Sequence, residues 1–275
     1  MIGAKVERIT SRQNPLIKEL YALKDRRGRK LAGHFLVEGE TEILEALRAD
    51  LALKRLVVCY EIGTGRSSGE LAEEADRREI EVVEVSEPVF GKLSVRDNPD
   101  GWLGVAKRSR LTLADLKLGR KAPLLVLDRI EKPGNLGAIA RTARGAGCSG
   151  IILVGGACEM ENPNAIRASR GHLFHLPVVE ATFEECTTWL FNEKVEVVVA
   201  DAGSKAELWT FEMGGPMAFV LGEEGNGLDP RWFDLPVKSV RIPMTVEMDS
   251  LNVSVSAALC LYEAFRRRSM GLGSG

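Results

Sequence analysis

The chain has 275 residues, 45% of them apolar and 28% charged, with 37 basic against 39 acidic side chains for a formal net charge of −2. This describes an ordinary globular protein of one or two domains and excludes collagen, a coiled coil and wholesale disorder. No apolar run approaches the ~20 residues of a membrane helix, the first eight residues lack the apolar stretch of a secretory leader, so a cytoplasmic location is expected, and Cys59, Cys148, Cys158, Cys186 and Cys260, widely spaced with no C-x-x-C pair, argue against a disulfide framework or a zinc cluster.

Charge is unevenly spread. Residues 1–30 hold nine Lys/Arg against three acids, a local surplus of six that suits a polyanion partner and a solvated helix face equally well. Asn14 is placed as an N-cap with Pro15 at the first helical position, and Leu16, Ile17, Leu20 and Leu23 form one apolar stripe. A helix is therefore predicted, ending in a basic turn that contains Arg26, Arg27 and Arg29. Short apolar runs at 35–37, 56–58, 82–85 and 102–105 alternate with charged helical segments near 40–49 and 69–79. Residues 1–106 thus read as a small α/β domain with a mostly parallel sheet. Residues 107–121, with six basic residues and one acid, are predicted to be a linker. From residue 122 the alternation resumes with longer, uniformly apolar strands at 124–127, 151–154, 195–200, 217–221 and 237–242. Such strands are expected where helices cover both faces of a parallel sheet.

In an open parallel sheet ligands bind beyond the carboxyl ends of the strands, so the turns there carry the chemistry. Three are unusual. The first, from Asp128 through Asn135, Gly137 and Arg141, opens a helix that Asn135 is predicted to cap, with Leu136, Ile139 and Ala143 on one side and Arg141 off that stripe. The second, Leu221-Gly222-Glu223-Glu224-Gly225-Asn226-Gly227, is glycine-rich without the spacing of a dinucleotide or Walker loop. Its adjacent carboxylates favour a neutral or cationic ligand over phosphate. The third, from Ile242 through Met244 to Ser250-Leu251-Asn252-Val253-Ser254, leads into a C-terminal helix predicted to be capped by Asp249 or Ser250. Leu251, Val255, Ala258, Tyr262 and Phe265 line one side of it, and Val253, Ala257, Cys260, Leu261 and Ala264 fill much of the rest. A helix this apolar needs burial on most sides, which for a terminal helix points to a second subunit.

Together these segments, N-x-G-x-x-x-R at 135–141, G-x-E-x-x-G at 222–227 and S-L-N-V-S at 250–254, resemble the three signature motifs of the SpoU/TrmH family of RNA ribose 2′-O-methyltransferases, of the SPOUT class, in the family's order and spacing. The likeness covers roughly residues 122–268. The first half resembles the family's substrate domain, a small α/β unit akin to certain ribosomal proteins, through Ile9-Thr10-Ser11-Arg12-Gln13-Asn14-Pro15 and Phe35-Leu36-Val37-Glu38-Gly39. Ile166-Arg167-Ala168-Ser169-Arg170-Gly171 fits as well, and brings the ribosomal-RNA members to mind.

The resemblance implies an α/β protein: a C-terminal trefoil-knotted SPOUT methyltransferase domain over residues 122–275, behind an N-terminal ribosomal-protein-like RNA-binding domain. It further implies S-adenosylmethionine as cofactor, a homodimer, and RNA as partner, with large-subunit (23S) ribosomal RNA favoured over transfer RNA. By the same likeness Leu221, Gly222, Ile242, Met244 and Leu251 contact the cofactor. Asn135, Arg141, Glu224, Ser250 and Asn252 form the catalytic end, and Arg26, Arg27, Arg29, Arg167 and Arg170 meet RNA. Family likeness makes Arg141 the base, although an Arg that orients phosphate and stabilises a developing alkoxide is physically easier. No metal is expected, since His34, His172 and His175 lack ligand spacing. The rival readings are a ribosome-binding protein without chemistry and a base methyltransferase of the same class.

Overall fold

The structure, a computed structural model, describes residues 8–62, 68–119, 122–156, 158–223, 227–245 and 250–271. Its contacts divide the chain into two compact units, residues 1–109 with 161–174, and residues 110–160 with 175–275.

In the first unit, helix α1 (Pro15–Ala22) begins as its sequence predicts, with the Asn14 side chain accepting from the Leu16 amide at 2.9 Å and Ile17 and Leu20 buried. The basic stretch that follows is a second helix, α2 (Arg26–Ala32), rather than a turn. Asp25 caps it by accepting from the Gly28 amide at 2.7 Å, and Gly33 ends it at φ +67°. A Cβ on Gly28 would lie 1.8 Å from the Ala22 carbonyl oxygen, so only glycine lets α2 start so close against the end of α1. Then come β1 (His34–Glu38), α3 (Glu40–Arg48), β2 (Leu53–Val58), α4 (Ser68–Arg77), β3 (Glu81–Glu84), α5 (Glu87–Leu93) and β4 (Trp102–Lys107).

These strands pair in the order β1-β4-β2-β3, with β4 antiparallel to both of its neighbours and only β2 and β3 parallel. The expected mostly parallel sheet is therefore corrected. Helix α4 is a crossover that returns the chain to the same end, whereas β4 re-enters from the opposite end and inserts between β1 and β2. Ile17 and Leu20 of α1 and Val89, Phe90 and Leu93 of α5 share one core with Leu36, Val57 and Leu103 of the sheet.

The second half continues with β5 (Leu124–Asp128), α6 (Pro133–Gly145), β6 (Gly150–Val154), α7 (Pro163–Ser169), β7 (Val178–Ala181), α8 (Phe183–Asn192), β8 (Glu196–Ala200), β9 (Met217–Gly222), β10 (Lys238–Val240) and α9 (Val253–Ser269). Its six strands form one parallel sheet in the order β10-β8-β9-β5-β6-β7. Leu124, Val126, Ile152, Val197, Val199 and Val220 are buried within it, as uniformly apolar strands require.

The boundaries differ from the sequence reading in two places. Most of the stretch 107–121 is not a linker: Leu111 bridges to Val179, residues 113–115 form a 3-10 turn, and Leu116 is buried in the second core with Leu113 and Leu118 packed on it. Arg120 and Lys121 lie outside the described residues. The segment 161–174, including α7, groups with the first unit, where Phe174 meets Phe35 and a nearly buried Arg108 pairs with Glu161.

Helix α6 begins at Pro133 with Lys132 in the cap position, so Asn135 sits inside the first turn and does not cap. Proline at N1 sets the start earlier than the Asn implied. Helix α9 is capped by Asn252, which accepts from the Ser254 amide at 2.9 Å; Ser250 precedes the cap, and Asp249 lies outside the described residues. Among the described residues no helix is long and apolar enough to cross a membrane.

Candidate active site at the carboxyl ends of the second sheet

The three sequence motifs fall at the same edge of the second sheet because its strands all run one way. β8 ends in Ala200-Asp201, β10 leads to Ile242 and Met244, and Ser250 and Leu251 approach from the start of α9. These residues line a cavity of about 90 Å³, which brings Ile242, Met244, Ser250 and Leu251 together. Leu221 and Gly222 end β9, the neighbour of β8. Glu224 lies outside the described residues.

Gly222 is required by the packing of its own loop. Its Cβ would sit 2.5 Å from the carbonyl carbon and oxygen of Gly227 and 2.6 Å from the Leu228 nitrogen. Glu223 and Gly227 pair across this narrow neck, the Gly227 amide donating to the Glu223 carbonyl at 3.1 Å.

Asn135 and Asn252 are brought into contact. The Asn252 Nδ2 donates to Asn135 Oδ1 at 3.3 Å while the Asn252 Oδ1 serves as the α9 cap, so one side chain joins the first motif to the third and starts the helix. Arg141 is not brought beside Asn135. Six residues on, it lies about 9 Å further along the axis of α6, exposed. On the far side, Leu136, Ile139 and Ala143 are buried as predicted.

The sequence analysis assigns no role to two groups at this edge. Asp201, in the pocket wall, follows an apolar parallel strand, which is the signal that could have found it. Asp128, the last residue of β5, is 1% exposed. Burial pushes its carboxyl pKa up, and the Asp229 amide and the Arg129 charge pull it part of the way back.

Helix α9 packs on α6 and β9 through Val253, Ala257, Cys260, Leu261 and Ala264. Ala257 and Leu261 are thus already covered inside the chain, and they are not available to a partner. Burying Leu261 stabilises by roughly 2 kcal/mol. Its opposite side is an apolar surface: Val255, Tyr262, Phe265 and Met270 are 42–62% exposed, and Trp209, at 41%, lines a surface cavity with the last three of them.

Among the residues expected to meet RNA, Arg27, Arg167 and Arg170 are exposed and Arg26 is half-buried, all within the first unit. Arg29 is corrected. It is 2% exposed, and its guanidinium donates to the carbonyls of Leu23 (3.1 Å) and Lys24 (2.8 Å), which fastens the turn between α1 and α2.

Comparison with known proteins places this geometry. The model of the SpoU rRNA Methylase family matches residues 122–262, and that of the MRM3-like substrate binding domain matches residues 14–104. The chain is 27% identical to the 23S rRNA (guanosine(2553)-2′-O)-methyltransferase RlmP of Bacillus subtilis, over 94% of this chain and 98% of that one. It is 28% identical to the 23S rRNA (adenosine(1067)-2′-O)-methyltransferase of Streptomyces laurentii, over 96% and 97%. Among solved structures, an AdoMet-bound rRNA methyltransferase from Sinorhizobium meliloti superposes with a TM-score of 0.86 at 30% identity, over 97% of this chain and 99% of that one.

Proposed function

Because the chain belongs to the SpoU rRNA Methylase family, we propose that it transfers a methyl group from S-adenosylmethionine to a ribose 2′-hydroxyl of RNA, in particular of large-subunit ribosomal RNA. The observation that carries this reading is the Asn135 to Asn252 contact beside the pocket of Ile242, Met244, Ser250 and Leu251, which joins two of the three motifs at one strand edge. The trefoil knot implied by the family likeness belongs to the same proposal, as do a cytoplasmic location and a homodimer joined through the exposed side of α9. Stable obligate interfaces bury about 2,000 Å² or more, so the partner would cover surface well beyond the Trp209, Tyr262, Phe265 and Met270 patch.

The residues present suit the cofactor. Ile242, Met244 and Leu251 offer apolar walls to a purine, and no lysine is among the described residues that line the pocket. The cavity formed by the described residues would hold a portion of the molecule. When bound, S-adenosylmethionine supplies an electrophilic methyl group on a sulfonium.

A ribose hydroxyl is a poor nucleophile that must be aimed and must lose its proton as the new bond forms. Asn135, Ser250 and Asn252 orient it by hydrogen bonds. A guanidinium delocalises its charge and presents a planar fork of donors, so Arg141 serves better by orienting the adjoining phosphate and stabilising the developing alkoxide than as a base. The exposed Arg27, Arg167 and Arg170, with the half-buried Arg26, contact RNA phosphates.

The test is incubation with 23S rRNA and, separately, with transfer RNA, each with isotopically labelled S-adenosylmethionine, followed by nuclease digestion and mass spectrometry of the nucleosides. A 2′-O-methylnucleoside is expected. Label on a ring nitrogen would make it a base methyltransferase, label confined to transfer RNA would move the substrate, and cofactor binding without transfer to any RNA would leave a binding protein.

A further inference from the structure

The loop that leaves β9 starts and finishes at the same residue. In the β5/β9 register Asp128 stands opposite Gly222, where the loop departs. Seven residues later the chain is back, and the Asp229 amide donates to Asp128 Oδ2 at 2.6 Å. Arg129 holds the return strand as well. It sits in the left-handed region at φ +56°, with its amide donating to the Val154 carbonyl at 2.8 Å, while its Nη2 donates to the Gly227 carbonyl at 3.3 Å. A non-glycine residue held at positive φ at a strand end is an outlier that the surroundings must enforce. Its guanidinium Nε lies 3.6 Å from Asp128 Oδ1, so carboxylate, guanidinium and both loop strands form one cluster.

A buried carboxylate is an uncommon choice for holding a loop, since an apolar side chain would fill the space without the cost of desolvating a charge. What the carboxylate adds is a charged acceptor for one main-chain N–H, which is directional and about twice as strong as a neutral one. The neck it fixes is narrow enough that Gly222 cannot carry a Cβ.

We propose that Asp128, supported by Arg129, is a positioning residue that pins the neck between Gly222 and Asp229 and thereby sets how tightly the cofactor is held. This rests on the reading of that edge as the S-adenosylmethionine site. Neither residue touches the reacting atoms in this scheme; both act through the main chain of the loop.

Binding of S-adenosylhomocysteine to the full chain, measured by calorimetry, tests it without any turnover. The unmodified protein must bind; if it does not, the cofactor reading itself fails and this inference with it. Asp128→Ala is expected to weaken binding about tenfold or more through loss of the charge-assisted bond, with the affinity for RNA unchanged. Asp128→Asn, which keeps an oxygen acceptor, should restore affinity to within about threefold, a rescue that a purely volumetric role would also permit for leucine. Asp128→Leu must therefore bind as poorly as Asp128→Ala. A second pair approaches from the other side of the bond and keeps the test standing if the Asp128 variants fail to fold. Asp229 has φ −57°, which proline adopts. Asp229→Pro deletes the amide donor, and Asp229→Ala keeps it while losing the same carboxylate. Weaker binding by Asp229→Pro than by Asp229→Ala supports the pin. Equal binding by that pair, or unmodified affinity in Asp128→Ala, overturns it.

Discussion

Asn252 performs two tasks that one substitution can separate. Its Oδ1 caps α9 through the Ser254 amide, and its Nδ2 reaches Asn135. Asn252→Ala removes both. Loss of an N-cap costs about 1 kcal/mol, and loss of an exposed neutral hydrogen bond adds about 0.5 kcal/mol, so a total near 1.5 kcal/mol should lower Tm by roughly 3–6 °C in a chain of this size. Asn252→Ser keeps a hydroxyl that caps about as well as Asn yet is too short to reach Asn135. Its Tm should stay within about 2 °C of the unmodified protein. If the bridge aligns the attacking ribose, the rate should still fall, by ~10²-fold, as about 1 Å of misplacement allows. Calorimetric melting and single-turnover transfer of labelled methyl to saturating RNA read the two effects separately. An Asn252→Ser protein that methylates at the unmodified rate would show that the contact between the motifs is helix capping and nothing more.

Arg141→Ala should leave S-adenosylhomocysteine affinity intact and slow single-turnover methylation by ~10²-fold or more; partial activity in Arg141→Lys would favour a point-charge or proton-transfer role over a two-pronged phosphate clamp, and a normal rate in the alanine variant would refute either. Replacing Arg27, Arg167 and Arg170 together should weaken RNA binding and flatten its salt dependence by roughly 0.7–0.9 per lost phosphate contact, whereas Arg29→Ala should lower Tm instead, because Arg29 is buried against the carbonyls of Leu23 and Lys24; an unchanged salt slope in the triple variant would remove these arginines from the RNA surface. Charges at Tyr262 and Phe265 should dissociate the proposed homodimer in analytical ultracentrifugation, and a stable, active monomer of the unmodified protein at micromolar concentration would end the dimer proposal. All five thiols are buried, and burial pushes Cys148 up to about 11 and Cys186 and Cys260 up to about 12, so an Ellman titration at pH 8 should find almost no fast-reacting thiol in the native protein and five after unfolding; one rapid equivalent would contradict the packing.

What the amino-acid order discloses depends on how far each signal reaches. The cap at Asn14, the proline at Pro15 and the apolar strands of the second sheet act over a few residues, and they are where they should be. The basic run at 26–32 was read by its charge alone, although Asp25 three residues before Gly28 and Gly33 at the end are the marks of a capped helix. Insertion of β4 between β1 and β2 is decided by contacts across most of the first unit and leaves no local trace. Gly222 stands out in the sequence as a point of close ligand approach, and the structure adds a requirement that no local pattern announces: the backbone it must clear belongs to its own loop, at Gly227. Asn135 shows the opposite case, where a residue type that usually caps lies inside the first turn behind Pro133 and meets Asn252.

The return of residues 161–174 to the first unit has a temporal consequence. A ribosome releases the chain from its amino end, and when residue 109 has emerged that unit still lacks 14 residues of its fold. Until they arrive, Arg108 has no Glu161 and Phe35 no Phe174. The first unit therefore completes only after β5, α6 and β6 of the second have been synthesised, so the two domains cannot mature one after the other in the order of translation. For the same reason, a fragment ending near residue 109 is a poor stand-in for the first unit. An exchange of that unit between relatives has to carry both pieces of chain.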